Sequence, residues 1–359
     1  MVTASIPTIE GGSSNAFSVL KGARIANIAQ TNNLPSISLL QTAGASLPQQ
    51  FRVFHTGGRS FRDIAVRSEL GAPTCTVVFG SSTAGGAYAP GMSDYTIFVE
   101  KQAQVFLGGP PLVKMATGEV STAEQLGGAE MHSKVSGLAD QMARDEFEGI
   151  ELARRWVKTI RAGKEVVDRR ISAFEPLYGP EELFGIIPTD IRQPMDMREV
   201  LIRIVDGSRL DEFKSLYGTG LITAWGHIHG IIRAFLSHVG HQIGILANQT
   251  PVIFTKESQK AVQFIRLCNQ SSTPIVFMHN VTGFMVGQKT EREGLVKSGS
   301  LFVDAVSRSK VPHLSVICGA SYGAGNYAVF DHSKSSDNRC ADEPMSRDSC
   351  FLGRCHDVP

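Results

Sequence analysis

Two glycine-rich turns carry the chemistry that this chain could perform. The first reads Gly80-Ser-Ser-Thr-Ala-Gly-Gly-Ala-Tyr88 and the second Gly319-Ala-Ser-Tyr-Gly-Ala-Gly-Asn-Tyr327. A buried strand that runs through small residues into a helix leaves the first amides of that helix without intrahelical partners. Glycine and alanine let another molecule come close to those amides, and the positive end of the helix adds to their pull on an anion. Two such turns could stabilise two developing oxyanions with backbone donors alone. The competing reading is close packing of a helix on a sheet. Recurrence favours a shared chemical task.

That recurrence keeps one register. Pro73 opens an apolar run before the first turn and Pro312 opens another before the second, a spacing of 239 residues that Gly80 and Gly319 repeat. Pro35 and Pro274 open two further strand-like runs that end at Gly44 and Gly283, and Lys21 and Lys260 lie in helix-like segments upstream, all at the same spacing. The pattern predicts two copies of one domain.

The elements that must position the turns follow from periodicity. Phe17 to Gln30 has Phe17, Leu20, Ile25, Ile28 and Ala29 at helical spacing, and 36–40 is a buried strand ending in the tight loop 42–45. Residues 46–60 are polar and have the look of a mobile segment. From Ser60 to Leu70 a helix is expected, Phe61, Ile64 and Ala65 facing inward and Arg62, Arg67 and Glu69 outward. Strands follow at 74–79, 95–99 and 105–107, the last ended by Gly108-Gly109-Pro110-Pro111, which leads into 112–117. Asp140 to Ile160 reads as one amphipathic helix, with Ala143, Phe147, Ile150, Leu152 and Trp156 available for packing. Residues 161–195 are charged and carry Pro176, Pro180, Pro188 and Pro194, which places the linker at 166–195. Beyond it, 197–205 is helical, 221–225 and 243–246 are strand-like, and the second copy runs from Gln259 to Tyr327.

At 359 residues the chain accommodates two domains, and 42% hydrophobic with 19% charged residues suits a globular core. A net charge of +1 gives no reason to expect nucleic acid or an anionic membrane, and no apolar run reaches membrane-spanning length. The six cysteines show no paired zinc spacing, Cys340, Cys350 and Cys355 with His356 included, so no metal is expected. Cys75, Cys268 and Cys318 lie in apolar segments, as free thiols of a reducing compartment do. Met1 to Gly12 has neither a signal-peptide nor a transit-peptide pattern. His132, in the small-residue turn after Gly127 and Gly128, is the first histidine to nominate as a base. A loop histidine more often serves as a hydrogen-bonding residue.

Several longer motifs carry a resemblance. They are Ser82 to Tyr88, Phe106 to Lys114, Leu126 to Glu130, Ile204 to Ser208, Asn280 to Phe284 and Ala320 to Tyr327. Over residues 8–328 the chain resembles the carboxyltransferase (beta) subunits of biotin-dependent acyl-CoA carboxylases, with wording closest to the methylcrotonoyl-CoA carboxylase branch. The resemblance implies an α/β chain of two tandem crotonase-like ββα-superhelix domains, an acyl-CoA-side domain at 1–165 and a biotin-side domain at 196–329. It implies that the Gly85 and Gly86 amides hold the thioester carbonyl as it becomes an enolate, and that the Ala324 and Gly325 amides hold the ureido oxygen of carboxybiotin. Ala84, Ala87, Lys260, Phe264, Gly283, Phe284 and Tyr322 would line the substrate sites. No side-chain base is then needed, because the biotin nitrogen takes the substrate proton.

Carboxyl transfer to 3-methylcrotonyl-CoA, a step of leucine breakdown, is the implied activity. Geranyl-, propionyl- or acetyl-CoA as acceptor, a crotonase-type hydratase or isomerase, and an inactive paralogue with an assembly role stay open. Biotin would arrive on a biotin carboxylase/biotin carrier alpha subunit, beta subunits would assemble into a homo-oligomer, and the location would be the mitochondrial matrix in a eukaryote or otherwise the cytoplasm. The family pattern has a further N-terminal segment, lacks 231–239 and continues differently after Tyr327. Both domains are therefore expected to be incomplete, with an insert at 231–239 and an aberrant, loosely packed tail at 330–359.

Overall fold

The computed structural model describes residues 1–160, 174–188, 190, 193–228 and 241–321. The chain divides into two units, 1–165 and 166–359. The insert at 231–239, the tail at 330–359, and Tyr322, Ala324 and Gly325 lie outside the described residues.

In the first unit, β1 (Val2–Ala4), β2 (Ser36–Thr42) and β3 (Thr74–Thr83) pair in that order, and β4 (Tyr95–Val99) and β6 (Gln141–Ala143) extend the sheet beyond β3. β5 (Gln104–Phe106) pairs with the far end of β3. Every pairing is parallel. A parallel sheet has both faces covered, which is why β3 and β4 read as unbroken runs rather than alternating ones. β3 extends well past Phe79 and takes in Gly80 to Thr83, so the turn begins only at Ala84.

The helices α1 (Ala16–Thr31) and α2 (Gln50–Glu69) flank β2 in sequence. Asn15 and Ser18 cap α1 reciprocally, side chain to backbone in both directions. α2 corrects the expectation of an irregular 46–60, since the helix starts ten residues before Ser60. Arg67, expected outside, is buried: it donates to the Leu34 carbonyl at 3.0 Å and to Ser36 Oγ at 2.7 Å. Ala65, expected inside, is exposed. A polar anchor to the β2 strand start outweighs the helical pattern there.

Short helices α3 (Tyr88–Met92), α4 (Pro110–Thr117), α5 (Ala123–Gly127) and α6 (Ala129–Met131) follow. The single helix expected over 140–160 is two elements. Residues 141–143 join the sheet as β6, and α7 (Glu146–Thr159) starts where Asp145 accepts from the Glu148 amide. Trp156 of α7 is buried and stacks on Tyr95 at 5.8 Å, but Phe147 points outward, 84% exposed.

In the second unit, α8 (Leu183–Ile186) falls in the segment read as linker. Leu183, Ile186 and Ile187 pack against a core built on Val200, Leu201, Ile222 and Ile245, so the described part of that segment belongs to the unit. α9 (Met197–Leu201) ends sooner than its pattern suggests. β7 (Asp211–Glu212), β8 (Leu221–Ile228) and β9 (His241–Asn248) pair antiparallel, whereas β9, β11 (Ile275–Val281) and β13 (His313–Ser321) are parallel. β10 (Val252–Ile253) pairs with β12 (Gly283–Phe284) beside them. α10 (Thr255–Gln270), α11 (Gln288–Arg292) and α12 (Leu295–Ser307) complete the unit. Among the described residues no helix is long and apolar enough to cross a membrane.

The internal repeat is visible in the ladders. In the first unit Ser36 faces Thr74 and Thr42 faces Ser82, with a register shift between Leu40 and Thr42. In the second, Ile275 faces His313 and Val281 faces Ser321, with the shift between His279 and Val281. Each of these positions in the second unit is its counterpart in the first displaced by 239. The helices obey the same displacement, since α1 spans 16–31 and α10 spans 255–270.

Candidate active site

The turn Ala84–Ala87 stands at the C-terminal end of β3 and leads directly into α3. It is a 3-10 turn whose preceding residue, Thr83, supplies no side-chain cap. Its leading amides are therefore donors that neither the helix nor a capping side chain uses. α3 is only five residues long, so the individual amides, more than a helix dipole, give the turn its attraction for an anion. Ala84 adopts a left-handed backbone, φ 53°, which a residue with a Cβ adopts at a cost. Ala84 and Gly85 are exposed, Gly86 is half-buried, and the Ala87 side chain is buried with Val78, Phe98 and Val105. An approaching carbonyl thus meets backbone at 84–86 over an apolar floor.

A second loop forms the neighbouring wall. Gly44, φ 94°, lies in the loop two residues beyond β2, and a side chain there would meet the Thr83 carbonyl at 3.4 Å and Ala84 Cβ at 3.6 Å. On Gly86 a side chain would overlap the Thr42 methyl, Cγ2. Gly44 and Thr42 are absent from the residues nominated by sequence. The signal for Gly44 was its counterpart, Gly283, at the repeat spacing.

His132 is held on both sides. Nε2 donates to the Val105 carbonyl at 2.8 Å, so in the neutral ring Nδ1 accepts from Ser136 Oγ at 2.7 Å. Burial lowers its pKa, partly offset by the bond to Val105. It serves as a structural link between β5 and the segment after α6.

In the second unit the nominated residues among those described fall in two places. Lys260 and Phe264 lie inside α10. Phe264 is fully buried, with its ring 5.0 Å from Trp225 and 5.9 Å from Phe213. Lys260 is 2% exposed and its Nζ donates to the carbonyls of Leu221 at 2.7 Å and Gly218 at 3.3 Å. Burial pushes its pKa down to about 7, against the pull of Glu212 and Glu257 and with a smaller push from Arg198 and Lys214. A neutral amine still has two hydrogens for two carbonyls. The positions of Lys260 and Phe264 are those of core residues, facing into the unit.

Gly283 and Phe284 form β12. Gly283, φ 147°, has open space where a side chain would stand, and the Phe284 ring covers Gly299, whose Cβ position is 3.2 Å from Cε1. Asn280 reaches the strand below the second turn: Oδ1 accepts from the Ala320 amide at 3.2 Å and occupies the side-chain space of Gly319.

The carboxyl transferase domain family matches residues 1–350. This chain belongs to that family. The match reaches beyond 8–328, where the motifs lie, and takes in most of the segment set apart as a tail. The chain is 50% identical over 335 residues to a probable biotin-dependent acyl-coenzyme A carboxylase beta2 subunit of Mycobacterium tuberculosis, covering 92% of this chain and 60% of the relative. It is 44% identical to the mitochondrial methylcrotonoyl-CoA carboxylase beta chain of Dictyostelium discoideum, covering 93% of this chain and 56% of that one. Among solved structures, transcarboxylase 12S with hydrolysed methylmalonyl-coenzyme A bound superposes with a TM-score of 0.81 at 26% identity, over 90% of this chain and 61% of that chain. The chain therefore spans about three fifths of the length of these relatives. The likeness confirms the α/β crotonase-like architecture, with a parallel sheet in the first unit and a mixed one in the second.

Proposed function

We propose that the chain transfers a carboxyl group from carboxybiotin, brought by a partner subunit, to an acyl-CoA. The observation that carries this is the uncapped turn at 84–87, where amides of small residues stand over an apolar floor at the end of a parallel strand. The acyl-CoA thioester carbonyl would accept from the Gly85 and Gly86 amides, which favour the enolate over the neutral thioester and so ease loss of the α- or γ-proton. His132, engaged at both nitrogens, does not take that proton. The biotin nitrogen, freed as its bond to the carboxyl carbon breaks and carbon dioxide is released, would take that proton, and the enolate carbon would take up the carbon dioxide. The Ala324 and Gly325 amides would play the matching part toward that donor, a role supported by their place in the repeat.

The acceptor we favour is 3-methylcrotonyl-CoA, supported by the likeness to a methylcrotonoyl-CoA carboxylase beta chain. Ala84 and Ala87 would border the acyl group, with Gly283, Phe284 and Tyr322 bordering the donor. Assembly of several such chains with a biotin-bearing alpha subunit fits the relatives named as beta subunits. A mitochondrial location fits if the source is eukaryotic.

The test is incubation of the 359-residue chain with a carboxylated biotin-carrier subunit and a panel of acyl-CoA thioesters. Label appearing on 3-methylcrotonyl-CoA is the expected result. Preferential labelling of propionyl- or geranyl-CoA would replace the acceptor, and no labelling of any thioester would overturn the activity.

A further inference from the structure

Thr42 and Ser82 face one another across β2 and β3, just beyond the register shift that interrupts the ladder. Both are buried, and neither takes part in the chemistry proposed above. Each nevertheless reaches the turn. Ser82 Oγ donates to the Gly86 carbonyl at 3.1 Å. Thr42 has two arms: Oγ1 accepts from the Gly44 amide at 3.1 Å, and the Cγ2 methyl fills the space where a side chain on Gly86 would stand. Threonine is stiff about χ1, so a single rotamer sets both arms at once. The loop after β2 and the turn after β3 are thereby referenced to one side chain.

The second unit supplies an internal comparison. Beyond the same register shift its pair is Val281 and Ser321. Valine has the shape of threonine with a methyl in place of the hydroxyl, so the apolar arm is retained at 281 and the arm that accepts from a loop amide cannot exist there. The difference singles out the hydroxyl as a feature of the first unit alone.

We propose that Thr42 is a positioning residue that ties Gly44 to Gly86, so that the two walls of the acyl-CoA carbonyl site hold one spacing. The identity of that site rests on the function proposed above, whereas the tie itself does not. Thr42→Val keeps the methyl and removes the acceptor. In the full chain the Gly44 amide should then exchange its hydrogen about fivefold faster, the ratio that an ordinary neutral hydrogen bond supports. The Gly86 amide should keep its rate, and kcat for carboxyl transfer should fall with KM unchanged.

Thr42→Ser keeps the acceptor and removes the methyl. It should leave Gly44 protected and speed exchange at Gly86. It should also make Gly86→Ala, damaging in the parent chain, tolerable in the double variant. Equal exchange at Gly44 in parent and Thr42→Val overturns the proposal, as does Gly86→Ala being equally damaging in both backgrounds. If the parent chain carboxylates no thioester, the function proposed above fails, and the exchange rates alone decide the tie.

Discussion

α1 and α10 occupy the same place in their repeats, yet they are held in different ways. α10 buries ten of its sixteen residues, Lys260 and Phe264 among them. α1 buries only Ala29, while Phe17 is 82% exposed and Leu20 59%. Their starts differ too. α1 begins with the Asn15–Ser18 capping box, whereas α10 follows Phe254, which caps nothing through its side chain. A backbone register can thus be kept across a duplication while the forces that maintain it change. In the first unit local hydrogen bonds start the helix; in the second, burial against Phe213 and Trp225 does.

The largest effect expected concerns the turns, where the two units should behave alike. Gly86→Val forces a branched side chain into Thr42 Cγ2 and displaces the amides. Losing one oxyanion donor lowers turnover about a hundred- to a thousand-fold. Gly325→Val should cause a comparable loss while acyl-CoA affinity, read by calorimetry, is unchanged. If only one of these variants loses turnover, the equivalence of the two turns is broken.

Next come the lysines, where the units should differ. Lys260→Ala leaves the Gly218 and Leu221 carbonyls without this donor and should cost about 3 kcal/mol in denaturant unfolding. Its counterpart Lys21, on the exposed face of α1, should change stability by less than about 0.5 kcal/mol when made alanine. The pH dependence sharpens the contrast. Burial pushes the folded pKa of Lys260 down to about 7, below the ordinary lysine value of 10.5. Between those values the unfolded chain binds the extra proton, so stability rises with pH, by up to about 1 kcal/mol per pH unit. Below pH 7 both states are protonated and the slope vanishes. Lys260→Met should abolish this rise between pH 7 and 10, and an unaltered slope would remove the lysine as its source.

Two strand glycines give a smaller difference. A Cβ on Gly80 would meet the Gln41 side chain, and one on Gly319 would meet the Asn280 side chain, each with a closest approach of 2.5 Å. Gln41 is longer and can swing aside, but Asn280 is engaged with the Ala320 amide. Gly319→Ala should therefore destabilise by about 2 kcal/mol and Gly80→Ala by clearly less, as thermal unfolding would show. The smallest effect belongs to the cap: Asn15→Ala should cost about 1 kcal/mol. A null result there would mean that α1 is held by its neighbours, as α10 is.

The two-fold repetition is legible in the sequence, because prolines, glycines and lysines keep one spacing. The strands were legible for the same reason that they are buried: Thr74 to Phe79 and Ile275 to Met278 are runs of β-branched and apolar residues with no alternation. Where the pattern misled, long-range contacts decided. Arg67 turned inward because the Leu34 carbonyl and Ser36 hydroxyl, over thirty residues away, needed its guanidinium. Residues 141–143 became a strand because β4 offered an edge to pair with. At the site the turn itself was readable, since small residues announce a close approach. Thr42 was not, because nothing about a lone threonine shows which glycine its methyl will meet.

The shared register of the two ladders also bears on how the chain reaches its native state. β2 and β11 present backbone hydrogen-bonding edges of the same length, interrupted at the same step, to partners that are likewise matched. To a folding chain, β13 is as good a backbone partner for β2 as β3 is. Discrimination must come from side chains, such as Gln41 over Gly80 against Asn280 over Gly319, and from order of synthesis, since β3 is complete long before β13 emerges. Tandem repeats are prone to misassembly of this kind. Divergence between the two copies, at strand positions far from any substrate, is then a safeguard against a kinetic trap.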